Sequence, residues 1–255
     1  MVELKRNKEG ICVDYRKLAE YTARRKSVRR YLPDVFDEEV LNRLKEAFSE
    51  IQQDFGPLDL TLDIMTRRQV SGLFMVEAPQ YMEFQIKDGE SRIKSAMMIE
   101  FLELWCSMQG WGACWLGKVE PRHKKEGYEH LATMAFGLPA VPSYRLTIAE
   151  FLRKPASGIG KAPTGNNLLD TLRLAPSASN GQPWWLVVTN DRIDLYMTHN
   201  GITDLIPRKT KTLDIGIMMA FIYCVMSARN LTGEFKEMTD AAELERKEYQ
   251  ISFII

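Results

Sequence analysis

Three stretches of the chain gather residues able to hold a charged or planar ligand. Arg25, Lys26 and Arg29 flank the hydroxyl of Ser27 within the basic run Arg24 to Arg30. Cationic groups beside a hydroxyl can hold a phosphate by charge-assisted hydrogen bonds, and the same run would also serve as a solvated helix end. Between Ala175 and Trp184 lie Pro176, Ser177, Ala178, Ser179, Asn180, Gly181, Gln182 and Pro183. Proline stops a helix, the small residues allow close backbone approach, and the amides of Asn180 and Gln182 offer donors and acceptors ahead of a strand. Such a loop suits the edge of a flat polar ring, whereas a plain helix-to-strand turn needs neither amide. The third stretch, Gly110-Trp111-Gly112-Ala113-Cys114-Trp115-Leu116-Gly117, follows a long apolar run. Its glycines can aim backbone N–H groups at a ligand, or can cap a helix ahead of a packed strand.

The remaining candidates for chemistry are few. His123, His130 and His199 fall outside all three stretches and are expected at surface or structural positions. Cys12, Cys106, Cys114 and Cys224 form no C-x-x-C pair and no zinc spacing, so they read as reduced, mostly buried thiols, which fits cytoplasmic residence. No catalytic triad and no metal site are nominated. A formal net charge of zero gives no reason to expect nucleic acid or an anionic membrane as a bulk partner, so any anion site must be local. Residues 1–10 are charged and carry no apolar core of a signal peptide. The longest apolar run, Ile215 to Met226, is too short to span a bilayer and is expected as a core helix.

Taken together, the motifs resemble the nitroreductase family. Arg25-Lys26-Ser27-Val28-Arg29-Arg30-Tyr31 is similar to that family's Arg-x-Ser-x-Arg/Lys-x-aromatic segment, and Ala175 to Trp184 to its A-P-S-x-x-N-x-Q-P-W segment. Gly110 to Gly117 resembles its G-x-G-x-x-W-x-G segment, and Ala135 to Pro139 its G-x-P strand end. The resemblance implies an α+β fold, one bound FMN, NAD(P)H as transient electron donor, and a small-molecule acceptor such as a nitroaromatic or quinone. It implies that Arg25 and Ser27, with Lys26 in the same run and Arg153 or Lys154, hold the phosphate, and that Arg29 lies near the N1–C2 carbonyl edge. The backbone of Leu116 and Gly117 would approach N5, and Pro176, Ser177, Ala178, Ser179, Asn180 and Gln182 would line the other ring edge. The flavin carries the hydride, so no protein acid or base is required for the transfer itself. The alternative is a flavin-binding or scaffold protein without turnover.

The elements that must position these residues recur in order. Helices are expected from Asp14 to Arg24 and from about Asp37 to Gln53, strands at Leu58 to Met65 and Ala78 to Ile86, a long helix at about Ile93 to Gln109, and a strand at Leu131 to Phe136. In the second half, a helix is expected at Asn167 to Leu174, strands at Trp184 to Thr189 and Arg192 to Met197, a long helix at Leu213 to Asn230, and a last strand at Tyr249 to Ile255. Leu41, Leu44 and Ala47 fall on Leu169, Leu172 and Ala175 at an offset of 128, and Met97-Met98 on Met218-Met219 at 121. The order predicts an internal duplication, with repeats at 1–139 and 167–255 forming one unit and 140–166 linking them. Repeat one lacks the asparagine-glutamine loop, and repeat two has only Arg153-Lys154-Pro155 in place of the arginine motif. These losses are complementary. They resemble a branch of the family in which a single chain forms a pseudo-dimer, which implies one FMN per chain and a monomer sufficient to bind it.

Overall fold

The computed structural model describes residues 11–199 and 201–255, so the charged segment 1–10 lies outside the described residues. In chain order the elements are α1 (Tyr15–Thr22), α2 (Glu38–Phe55), β1 (Leu60–Met65), β2 (Val70–Gly72), β3 (Gln80–Lys87), α3 (Arg92–Met108), β4 (Gly112–Leu116), β5 (Val119–Pro121) and β6 (Tyr128–Gly137). They continue with β7 (Gly160–Lys161), α4 (Leu168–Leu172), β8 (Trp184–Val188), β9 (Arg192–Thr198), α5 (Arg208–Ala228), β10 (Glu234–Lys236) and β11 (Lys247–Ile254).

Local chemistry sets the helix ends. Asp37 caps α2 by accepting from Val40 N–H, with Glu38 and Glu39 favourably placed in the first turn, and Gly56 ends it at φ +84°. Ser91 caps α3 through Lys94 N–H. Apolar residues surround α3 and α5 on every side, which forces both into the interior. One antiparallel sheet runs β1-β3-β6-β4, a second runs β10-β11-β9-β8-β7, and β2 pairs with β5. The two central helices lie against one another, and α1 packs across both. Tyr15, Phe55, Phe101 and Tyr223 close that junction as an aromatic cluster, with the Phe55 and Phe101 rings stacked at 4.9 Å.

The crossing of α3 and α5 is tight at Gly216. A Cβ there would stand 2.2 Å from the Ile93 carbonyl oxygen and 2.7 Å from Ala96 Cβ. Gly216→Ala is therefore expected to destabilise the fold by about 2 kcal/mol net, because forced overpacking exceeds the gain in helix propensity. A denaturant midpoint at or above that of the parent would show that the crossing tolerates a wider spacing.

One expectation needs correction. Helix α5 begins at Arg208, five residues before the expected start at Leu213, because Pro207 precedes the first turn and the charged residues after it hide the apolar periodicity. At 21 residues the whole helix is long and apolar enough to cross a membrane by length and composition, but its apolar stretch is mostly buried inside the fold, the place expected of a core helix. The segment 140–166 does more than connect. Phe151 and Ile159 are buried, and Gly160–Lys161 adds a parallel strand to β8, where a Cβ on Gly160 would meet the Leu186 carbonyl oxygen at 2.5 Å.

Candidate functional site

The arginine run is extended and alternates between core and solvent. Val28 is buried against β4, where Gly112 leaves room for it, and Val28 N–H donates to the Ala113 carbonyl at 3.0 Å. That anchor turns Arg25 inward, where it is 1% exposed. Its Nε donates to Glu103 Oε1 at 2.9 Å, and its Nη2 donates to Ser27 Oγ at 3.1 Å. Burial opposes the charge on Arg25, but Glu103 and Glu100 outweigh it and raise its pKa. Arg29 is exposed and donates to the Ser27 carbonyl, while Lys26 is exposed with no hydrogen bond to this group among the described residues.

The asparagine-glutamine loop is held in an unusual shape. Ser179, Asn180 and Gln182 adopt φ of +51°, +56° and +48°, a region that side chains disfavour and that persists only where the surroundings enforce it. Those surroundings are visible. Ser177 Oγ accepts from Gln182 N–H at 2.9 Å, and Asp214 Oδ1 on α5 accepts from Ala178 N–H at 2.9 Å. From the segment before β7, Lys154 N–H donates to Gln182 Oε1 at 2.9 Å, and Lys154 Nζ donates to the carbonyls of Gly181 and Gln182. Arg153 Nη1 donates to Asn180 Oδ1, and Asn180 Nδ2 donates to the Leu152 carbonyl at 2.6 Å. Lys154 is thus spent on bracing the loop, while Pro176 is buried beneath it.

These two halves face one another across Arg145. Its backbone N–H donates to the Arg24 carbonyl at 2.8 Å, its Nη1 to the Arg25 carbonyl, and its guanidinium lies 4.1 Å over the Phe151 ring. Burial lowers the Arg145 pKa, and Arg25 and Arg29 push it further down. Burial also lowers Arg153 to about 10, with Arg25 and Arg145 adding repulsion. Neither Arg145 nor Arg153 forms an ion pair among the described residues. Arg25, Arg29, Arg145 and Arg153 therefore converge as guanidiniums that repel one another, an arrangement that an anion would relieve.

The third stretch divides. Gly110 follows the end of α3 at φ +79°, Gly112 to Leu116 is packed strand, and Leu116 is buried with Val70, Tyr81 and Val119. Gly117 is exposed, and a Cβ there would meet nothing within 4 Å, so backbone approach by a ligand is open at that residue. Among the described residues no hydrogen bond joins Leu116 or Gly117 to the 177–182 loop.

Sequence reasoning missed Arg145 and the acids beneath the cluster. Glu100 and Glu103 sit one turn apart on α3, fully buried, with Trp115 Nε1 donating to Glu100 Oε2 at 2.9 Å. Burial and the neighbouring Glu103 hold Glu100 well above the ordinary carboxylate range, and burial raises Glu103 against the pull of Arg25. The available signal was two glutamates inside an otherwise apolar helix. The histidines are structural where they have partners: His130 Nδ1 lies 2.8 Å from buried Glu83, and His199 Nε2 lies 3.0 Å from Glu248.

Among solved structures, one from Thermotoga maritima described as a "putative nitroreductase" matches at a TM-score of 0.61 and 16% identity, covering 100% of this chain and 98% of that one. A nitroreductase family protein from Clostridium difficile matches 57% of this chain and 98% of its own at 15% identity and a TM-score of 0.46. A nitroreductase with bound FMN from Bacteroides fragilis matches 49% of this chain and 89% of its own at 14% identity and a TM-score of 0.38. The fold likeness rests on the first of these. No curated protein matches the chain. Residues 17–225 match the family described as "Putative TM nitroreductase", and the chain, with its α+β nitroreductase fold, belongs to that family.

Proposed function

We propose that this chain is an FMN-dependent oxidoreductase of the nitroreductase type, passing hydride from NAD(P)H to a nitroaromatic, quinone or similar small-molecule acceptor. The observation that carries the reading is the convergence of Arg25, Arg145 and Arg153 beside a strained amide-bearing loop, with no carboxylate in ion-pair contact with the last two among the described residues. A phosphate fits that cluster by charge and donor count, and FMN supplies a phosphate and a flat polar ring in one molecule. Arg25, Arg145 and Arg153 would hold the phosphate with the Ser27 hydroxyl, and the 177–182 loop would meet the ring edge. Gly117 is the place where backbone can approach the ring without a side chain between them. When bound, FMN supplies the hydride chemistry, and the protein supplies orientation and charge. Both halves of the chain contribute, so one polypeptide suffices for one site.

Purified protein is expected to show flavin absorbance in the visible range after incubation with FMN, and to lose it on anaerobic addition of NADH or NADPH. A colourless protein that takes up no FMN would overturn the reading. Flavin that binds and stays oxidised with both donors would make this a binding protein without turnover.

A further inference from the structure

Arg25 stands between two groups of opposite charge. On its inner side, Glu103 accepts from Nε, and Glu100 follows one turn away on α3. On its outer side are Ser27, Arg29, Arg145 and Arg153. The acid side is short of donors. Among the described residues Glu100 Oε1 and Asp214 Oδ2 are buried with no hydrogen-bond partner, and Glu103 Oε2 has only Arg25 Nε, at 2.8 Å. An oxygen so placed is a seat for a proton, since a buried carboxylate that cannot reach water relieves its charge by becoming neutral.

We propose that Glu103 and Glu100 form an internal anion that competes with a ligand dianion for Arg25, so that filling the arginine cluster draws one proton from solvent onto this acid pair. The inference rests on the reading of the cluster as an anion site. The groups facing the pair are Arg25 and Tyr31 from the extended run, Trp115 and Cys114 from β4, Asp214 and Cys224 from α5, Cys106 on α3 itself, and Arg145 from the segment after β6. Arg25 and Arg145 are the cations among them, and both are the groups a ligand anion would engage. A dianion arriving at their outer side offsets the attraction that holds negative charge on the pair and adds repulsion, and both effects favour the protonated form. The balance is simple: carboxylate plus one proton from buffer gives carboxylic acid, with no electron transferred.

Sulfate is a suitable probe because it stays dianionic across the accessible pH range. Calorimetric titration with sulfate alone, from pH 6 to 8.5 in two buffers of contrasting protonation enthalpy, is expected to show about one proton taken up per sulfate. Affinity should fall by up to about tenfold per pH unit in the window of uptake and be flat below it. Glu103→Gln keeps an oxygen for Arg25 Nε and removes the charge, so uptake should vanish and binding should become tighter at the alkaline end. If that variant does not fold, Glu100→Gln, which keeps an oxygen for Trp115, should show reduced uptake. Asp214→Asn is run in parallel, and uptake that survives there assigns the proton to the glutamates. The inference is overturned by sulfate binding without proton exchange, by full uptake in Glu103→Gln, by uptake lost only in Asp214→Asn, or by no saturable binding. Repeating the titration with FMN and riboflavin separates the two claims. Proton-coupled sulfate binding without FMN binding removes the flavin reading alone, whereas FMN binding without uptake removes the coupling alone.

Discussion

Arg25→Ala is expected to lower folding stability by about 3–5 kcal/mol, the usual consequence of leaving a buried charge without its partner. Glu103 has no exposure to water and takes its hydrogen bond from Arg25 Nε, so truncation strands the carboxylate among α3, β4 and α5. The same change is expected to weaken FMN binding by about 10–100-fold, since hydrogen bonds to a charged group contribute roughly 1.5–3 kcal/mol each. The two losses are separable. Adding Glu103→Gln to Arg25→Ala removes the stranded charge and should restore most of the stability, read as the urea midpoint, without restoring FMN affinity. Arg25→Lys should fall short on both counts, because an ammonium cannot serve Glu103 and Ser27 through one planar fork. Unchanged stability in Arg25→Ala would show that Glu103 is already neutral in the parent protein. Unchanged FMN affinity would place the phosphate elsewhere.

How much of this was legible in the sequence depends on the range of the interaction. The helices and most strands follow from apolar spacing and from local stops such as Gly56 and Gly110, whose effects act within a turn. The asparagine-glutamine loop stood out because proline, small residues and amides cluster within ten positions. Its left-handed residues did not, since Ser179, Asn180 and Gln182 are held there by Asp214 and Lys154 from distant parts of the chain. Arg145 was hidden for the same reason. It lies in a segment whose Pro, Gly, Ser and Ala content reads as a connection, and only the folded path lays it against the Arg24 and Arg25 carbonyls. Lys26 and Lys154 show what spacing alone leaves open. Both read as phosphate ligands from their place beside a motif; among the described residues Lys26 is exposed without a hydrogen bond to the group, and Lys154 donates to loop carbonyls. The short β2–β5 pair escaped notice because three-residue strands carry too little alternation to register.

Asp214 carries the second large effect, and its sign follows from its surroundings. Burial raises its carboxyl to about 8 from an ordinary 3.8, against the opposing pull of the Ala178 N–H, and no cation pairs with it among the described residues. Between those two pH values the folded chain holds a proton that the unfolded chain gives up. The stability this group permits is therefore fully present below about pH 4, is lost as pH rises, and is gone above about pH 8. The full span corresponds to on the order of 5 kcal/mol. Asp214→Asn keeps an oxygen for Ala178 N–H and never ionises, so it should match the parent in acid and exceed it increasingly toward pH 8.5. Urea midpoints of both proteins at pH 4.5, 6.5 and 8.5 read this directly. A widening gap would also show that the α5 anchor of the loop is a neutral buried acid: Asp214 Oδ1 accepts from Ala178 N–H in either state, but once the group ionises the stranded charge outweighs what that bond contributes. A gap that stays constant would mean that Asp214 is ionised and hydrated in the folded protein, its oxygen still accepting from Ala178 N–H beside the contacts made by Ser177, Arg153 and Lys154.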